Sequence, residues 1–163
     1  MIKKKISMLG AYAVGKTCLV RRFVHSMFDE KYHSTLGVKV DEKSVAVDGT
    51  DLKLMLWDIA GAEDYFSVPM SYVRGSAGVL LVIDGTRPET LERALDIVEQ
   101  IEEAFGEVPI VAVLNKCDLT DDWKLDEDQL KKLAPLHCPL IRSSAKTGEG
   151  VEEAFLEISR LVV

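Results

Sequence analysis

Gly10-Ala11-Tyr12-Ala13-Val14-Gly15-Lys16-Thr17 follows a short apolar run, residues 6–9, and leads straight into a stretch with helical spacing. The pattern G-x-x-x-x-G-K-[ST] marks a P-loop. Its glycines let the backbone turn sharply enough to bring successive N–H groups against phosphate oxygens. Lys16 then reaches the β and γ phosphates, and Thr17 offers a hydroxyl to Mg²⁺. The helix that begins here aims its positive end at the anion. Gly10, Ala13, Val14, Gly15, Lys16, Thr17 and Cys18 are therefore the candidate phosphate-binding positions. A glycine-containing turn matching by accident is the alternative, but the match sits where a strand hands over to a helix, as the mechanism requires.

Working outward, 163 residues suit one domain, too short for two of ordinary size. Hydrophobic residues at 47% and charged residues at 29% are those of a water-soluble globular protein. A net charge of -7 argues against a nucleic-acid backbone or an anionic membrane surface as direct partner. The 3 cysteines, Cys18, Cys117 and Cys138, have neither metal-ligand spacing nor a disulfide framework, which suits a reducing compartment. No signal peptide and no membrane-spanning run is legible, so a cytoplasmic location is expected.

Periodicity orders the rest of the chain. Residues 3–9 read as a strand and 18–27 as a helix with Leu19, Val20, Phe23, Val24 and Met27 on one stripe. A polar loop over 28–36 follows. Residues 38–47 alternate, turn at Asp48-Gly49 and pair with 52–57 as a hairpin. After an irregular stretch containing Pro69, residues 78–83 form a continuous apolar run, as do 109–114, typical of strands buried on both faces. Residues 89–105 carry a helical stripe, a short helix is expected within 121–134, with Trp123 at its solvated start, a last strand spans 140–143 and a last helix 151–161. Strand and helix alternate apart from the one hairpin. The expectation is an α/β fold: a mostly parallel six-stranded sheet with one antiparallel strand and helices on both faces, which binds ligands at its strands' carboxyl ends.

Further motifs sit at those ends. Asp58-x-x-Gly61 is where a carboxylate would hold Mg²⁺ while the glycine N–H meets a γ-phosphate, although a loop N-cap explains Asp58 equally well. Asn115-Lys116-Cys117-Asp118 ends the strand over 109–114. A carboxylate at Asp118 can accept from the N1–H and exocyclic amine of guanine, a donor pair that adenine lacks. Read structurally, the same tetrapeptide is a polar turn. Ser144-Ala145-Lys146 follows the last strand, where the Ala145 N–H could meet guanine O6. Individually weak, these motifs gain weight from their order.

Taken together they make the chain resemble a small GTPase of the Ras superfamily over its whole length, most similar to the Rab/Ras branch and compatible with a prokaryotic Ras-like member. Trp57 before the aspartate and Tyr72-Val73-Arg74-Gly75 carry the Rab likeness. The resemblance implies a single P-loop NTPase G domain over residues 1–163 that binds GTP or GDP with Mg²⁺. It implies that Phe28 lies against the guanine ring and that Thr35 coordinates Mg²⁺ and senses the γ-phosphate. Lys116 would pack along the base, with Asn115 and Ser144 bracing the loops. The implied metal ligands are Thr17, Thr35 and Asp58, and the implied catalytic positions Lys16, Thr35 and Gly61. Effector, exchange and activating proteins would bind through switch I, about residues 28–38, and switch II, about 60–72.

Departures from the family pattern qualify the chemistry. Tyr12 and Ala13 stand where Ras proper has glycines, and Ala62 replaces the glutamine that orients the attacking water. Slow intrinsic hydrolysis is expected, with Glu63 and His33 the only nearby substitutes. No cysteine for prenylation follows the last helix, so either the natural protein is unlipidated or a tail is missing here, and no direct membrane anchor is expected within this chain. Two other classes compete: a GTP-binding module with negligible turnover, and an ATP-dependent P-loop enzyme, for whose lid and acceptor pocket there is no spare length.

Overall fold

Side chains alternate across a strand, so a strand buried on both faces must feed two cores. The computed structural model describes residues 1–26, 28, 37–60 and 69–163. Among these, β1 (Ile2–Gly10), β2 (Val38–Val47), β3 (Thr50–Ile59), β4 (Gly78–Asp84), β5 (Ile110–Asn115) and β6 (Leu140–Arg142) form one six-stranded sheet in the order β2-β3-β1-β4-β5-β6. Only β2 pairs antiparallel, against β3, with Val38 opposite Ile59 and Val47 opposite Thr50. Every other pairing is parallel, so the fold class expected from periodicity holds.

The helices α1 (Lys16–His25), α3 (Glu89–Phe105) and α5 (Val151–Val162) cover the sheet, with two short helices, α2 (Met70–Val73) and α4 (Glu127–Lys131). Leu80 and Val82 of β4 pack into a cluster with Leu19 and Val20 of α1 and Phe155 and Ile158 of α5. Their neighbours Val79, Leu81 and Ile83 turn the other way, onto Leu91, Ala94, Ile97 and Ile101 of α3. The chain runs from β1 to one side of the sheet and from β3 back to the other. That reversal opens a crevice beyond the carboxyl end of β1, where residues 11–15 lie.

Some boundaries depart from expectation for local reasons. Helix α1 begins at Lys16, two residues before the expected start at residue 18, because Gly15 turns through the left-handed region (φ 103) and the chain is helical directly afterwards. The short helix expected within 121–134 is α4, and 3₁₀ turns at Thr120–Asp122 and Ala134–Leu136 flank it. Asp126 starts α4 by accepting from the Gln129 N–H (2.9 Å), and Pro135, lacking an N–H, suits only the tighter turn after it. Trp123 is not a solvated helix start. Its ring lies on Gly85, its Nε1 donates to the Leu125 carbonyl (3.0 Å) and the Arg142 guanidinium sits 5.0 Å above it.

Among the described residues Phe155 is the largest fully buried side chain, and its ring stacks on Phe23 of α1 with centroids 4.1 Å apart. That stack holds α1 against α5, and through α1 the end of the phosphate-type loop. Phe155→Ala should cost about 3–5 kcal/mol of unfolding free energy in urea titrations. A loss below about 1 kcal/mol would show that the interface closes over the gap without it.

Candidate functional site

An anion receptor made of backbone must first dispose of its carbonyls. Between β1 and α1 the carbonyls of Tyr12, Ala13 and Val14 are each taken by a side chain from the ends of β4 or β5. Arg87 Nη2 donates to Tyr12 (2.7 Å), Lys116 Nζ to Ala13 (3.1 Å) and Asn115 Nδ2 to Val14 (2.9 Å). Ala13 sits at φ 62, a conformation that costs a non-glycine residue about 1–2 kcal/mol. Gly15 is obligatory for a second reason, since a Cβ there would occupy the place of the Asn115 amide.

Lys16, only 5% exposed, donates Nζ to the carbonyls of Ala11 (3.1 Å) and Gly10 (3.4 Å). Burial pushes its pKa down to about 8, against the pull of Asp58 and with the added repulsion of Arg87. Neutral carbonyls compensate a buried ammonium poorly, so an anion beside it would be strongly favoured.

Thr17 Oγ1 donates to Asp58 Oδ2 at 2.6 Å, joining the first turn of α1 to the end of β3. A hydroxyl and a carboxylate are hard oxygen donors of the kind that suit Mg²⁺. Two are too few to hold it. Among the described residues no group of three or more His, Cys, Asp or Glu is placed to bind a metal. The donor set fits an ion that arrives with phosphate oxygens and water completing its shell.

A polar platform lies beyond β5 and β6. Asn115 Oδ1 accepts from Ser143 Oγ (3.1 Å), and the Cys117 N–H donates to the Ser143 carbonyl (3.0 Å). Ser144 Oγ donates to Asp118 Oδ1 (2.8 Å) and accepts from the Thr147 N–H (3.1 Å), fixing the aspartate relative to the last loop. Ala145 is buried and Lys146 exposed. Phe28 is half-buried against the α1 and α5 side of the core. Inside this platform Cys117 is chemically quiet: burial first, then the Glu149 carboxylate that accepts its Sγ–H (3.0 Å), pushes the thiol up to about 11.

The structure thus brings the P-loop positions, the Thr17–Asp58 pair and the Asn115, Lys116, Asp118 and Ser144 group to the carboxyl edge of one sheet. Thr35, Gly61, Ala62, Glu63 and His33 lie outside the described residues. Sequence reading passed over Asp84 and Arg87. Asp84, 1% exposed at the end of β4, accepts at Oδ1 from the N–H and Oγ of Thr86 (2.8 and 2.7 Å), and at Oδ2 from Arg87 Nε (3.0 Å) and Lys116 Nζ (2.8 Å). Burial alone would raise its carboxyl, but the Lys116, Thr86 and Arg87 hydrogen bonds outweigh it and hold the pKa below the usual range. For Asp84 a signal was available, a carboxylate at the carboxyl end of a buried strand, the same rule that singled out Asp58; Arg87 had none.

A model of the Ras family matches residues 5–163. The chain is 37% identical over 161 residues to the Ras-related protein Rab-4 of Dictyostelium discoideum, covering 98% of this chain and 78% of that one. It is 34% identical over 158 residues to human Ras-related protein Rab-8B, covering 96% and 76%. Ras-related protein Rab-13 of Canis lupus familiaris is 35% identical over 158 residues, covering 96% and 78%.

With only two described metal-type donors, calorimetric titration of Mg²⁺ into the ligand-free protein should show no saturation below about the millimolar range. Saturation at micromolar Mg²⁺ would mean that the protein completes the coordination shell by itself.

Proposed function

Because the chain belongs to the Ras family of small GTPases, we propose that it is a guanine-nucleotide switch that binds GTP and GDP with Mg²⁺ through one G domain, residues 1–163, and hydrolyses GTP slowly. The observation that carries this reading is the convergence of a P-loop, a Thr17–Asp58 oxygen pair and an Asp118 carboxylate braced by Ser144, each at or just beyond the carboxyl end of a different strand.

In this reading the N–H groups of Ala13, Val14, Gly15, Lys16, Thr17 and Cys18 line the phosphates, and the Lys16 ammonium takes the β and γ oxygens. Gly10 allows the backbone to enter the loop. Thr17, Asp58 and Thr35 would hold Mg²⁺, which when bound would neutralise phosphate charge. Asp118 accepts from the guanine N1–H and exocyclic amine, Ala145 donates its N–H to O6, Lys116 and Phe28 flank the base, and Lys146 lies at the rim. Gly61 meets the γ-phosphate. Switch I and switch II form the surface for effector, exchange and activating proteins. A bond from the Ala60 N–H to the Gly37 carbonyl (2.8 Å) supports their coupling, since it joins the end of one segment to the start of the other.

Base specificity is the direct test of this reading. Asp118→Asn should weaken GTP and favour xanthine nucleotides, because an amide can donate to the C2 carbonyl. The wild-type protein should prefer guanine over adenine nucleotides by about a thousandfold or more. Comparable ATP and GTP affinities by calorimetry would refute the assignment.

Turnover depends on what Ala62 lacks. A methyl group can neither orient water nor donate to the transition state, which leaves Lys16 to stabilise charge without a positioned nucleophile. The single-turnover rate should lie at or below about 10⁻⁴ s⁻¹, the scale of intrinsic Ras turnover, and Ala62→Gln should raise it. A faster wild-type rate unaffected by that substitution would show that water is positioned by another group. No turnover at all would make the chain a GTP-binding module.

A further inference from the structure

Three successive P-loop carbonyls are held from outside the loop, and two of the holders belong to the Asn115-Lys116 motif. The third does not. Arg87 lies beyond the end of β4 in the turn that precedes α3, and no feature of the P-loop or base motifs calls for it. Its guanidinium does two things at once: Nη2 donates to the Tyr12 carbonyl (2.7 Å) while Nε donates to Asp84 Oδ2 (3.0 Å). The same Asp84 oxygen accepts Lys116 Nζ (2.8 Å), which in turn holds the Ala13 carbonyl (3.1 Å). One buried carboxylate therefore anchors two cations, and each cation grips one of two consecutive peptide units.

We propose that Arg87 is a positioning residue for phosphate binding, clasping the Tyr12 carbonyl so that the following N–H groups face the nucleotide. The proposal rests on the reading of this loop as the phosphate site. Its physical basis is the strain at Ala13, whose φ of 62 would relax toward the ordinary region if the peptide on either side could turn. Rotation of the Tyr12 peptide is opposed by a charge-assisted bond, and the guanidinium is itself oriented by a carboxylate that is 1% exposed. A planar fork can bridge an acid and a carbonyl in fixed directions. A lysine ammonium can neutralise the acid but cannot reproduce both directions. The turn is rigid on its far side as well: the Lys124 N–H donates to the Gly85 carbonyl (2.8 Å), and Trp123 covers Gly85 so closely that a Cβ there would fall inside the ring.

The test is the release of mant-GDP, chased with unlabelled GDP, from the wild-type protein and from Arg87→Ala and Arg87→Lys, together with competition by GDP and inosine diphosphate. Arg87→Ala should speed release by about tenfold or more, the size of one charge-assisted hydrogen bond, with Arg87→Lys in between. The ratio of GDP to inosine diphosphate affinity should be unchanged in both variants, because the clasp acts on the phosphates and leaves Asp118 alone. Unchanged release in Arg87→Ala would overturn the proposal, leaving Arg87 a surface ion pair. A changed base ratio would overturn it too, by showing that Arg87 acts through Lys116 and the base loop. If the wild-type protein bound no mant-GDP, the nucleotide reading would fail first and the proposal with it.

Discussion

A loop that presents backbone N–H groups to an anion has to place its carbonyls somewhere else, and in this protein that constraint organises the site. The carbonyls of Tyr12, Ala13 and Val14 are taken by Arg87, Lys116 and Asn115, and the carbonyls of Gly10 and Ala11 by Lys16 itself. Unsatisfied, these groups would cost more than the loop gains from any single contact, so the donors are as much a part of the fold as the glycines. The donors from outside the loop come from the carboxyl ends of β4 and β5 and the turns that follow them. The phosphate end of the crevice is therefore built only once three parallel strands stand side by side.

Burial then sets the electrostatics. Lys16 at the start of α1 and Asp58 near the end of β3 are nearly solvent-free, and Asp84 is buried between two cations. A charge in such surroundings is tolerable only where its partners are fixed. Asp84 has its full complement of donors. Lys16 has carbonyls for partners and a lowered pKa, which leaves it the group with most to gain from an incoming anion. Rigid support and open demand thus sit within one network, and the support extends through Gly85 to Trp123 and Arg142.

How legible this was depends on whether the information is local. The apolar runs over 78–83 and 109–114 and the stripe over 89–105 reflect a period that holds wherever the chain goes, so the strands and α3 could be read directly. In the region 121–134 the short helix was legible, as α4, but its flanking 3₁₀ turns and the burial of Trp123 were not. The Asp126 cap is local, but the place of Trp123 is set by Gly85, a partner from a different turn. Trp123 among acidic residues looks solvated until β4 and β5 pair and bring that glycine beneath it.

The sequence by itself determined the fold class and the motif order: strand periodicity and the Gly10-to-Thr17 and Asn115-to-Asp118 patterns are properties of neighbouring residues. Only the tertiary structure decided how those motifs are joined. Asp84 and Arg87 stand 75 residues from the loop they serve in the case of Arg87 and Tyr12, and no local pattern marks the pair as its support. The reason is geometric: parallel strands bring distant carboxyl ends together, and a hydrogen bond across that edge has no signature in either segment alone.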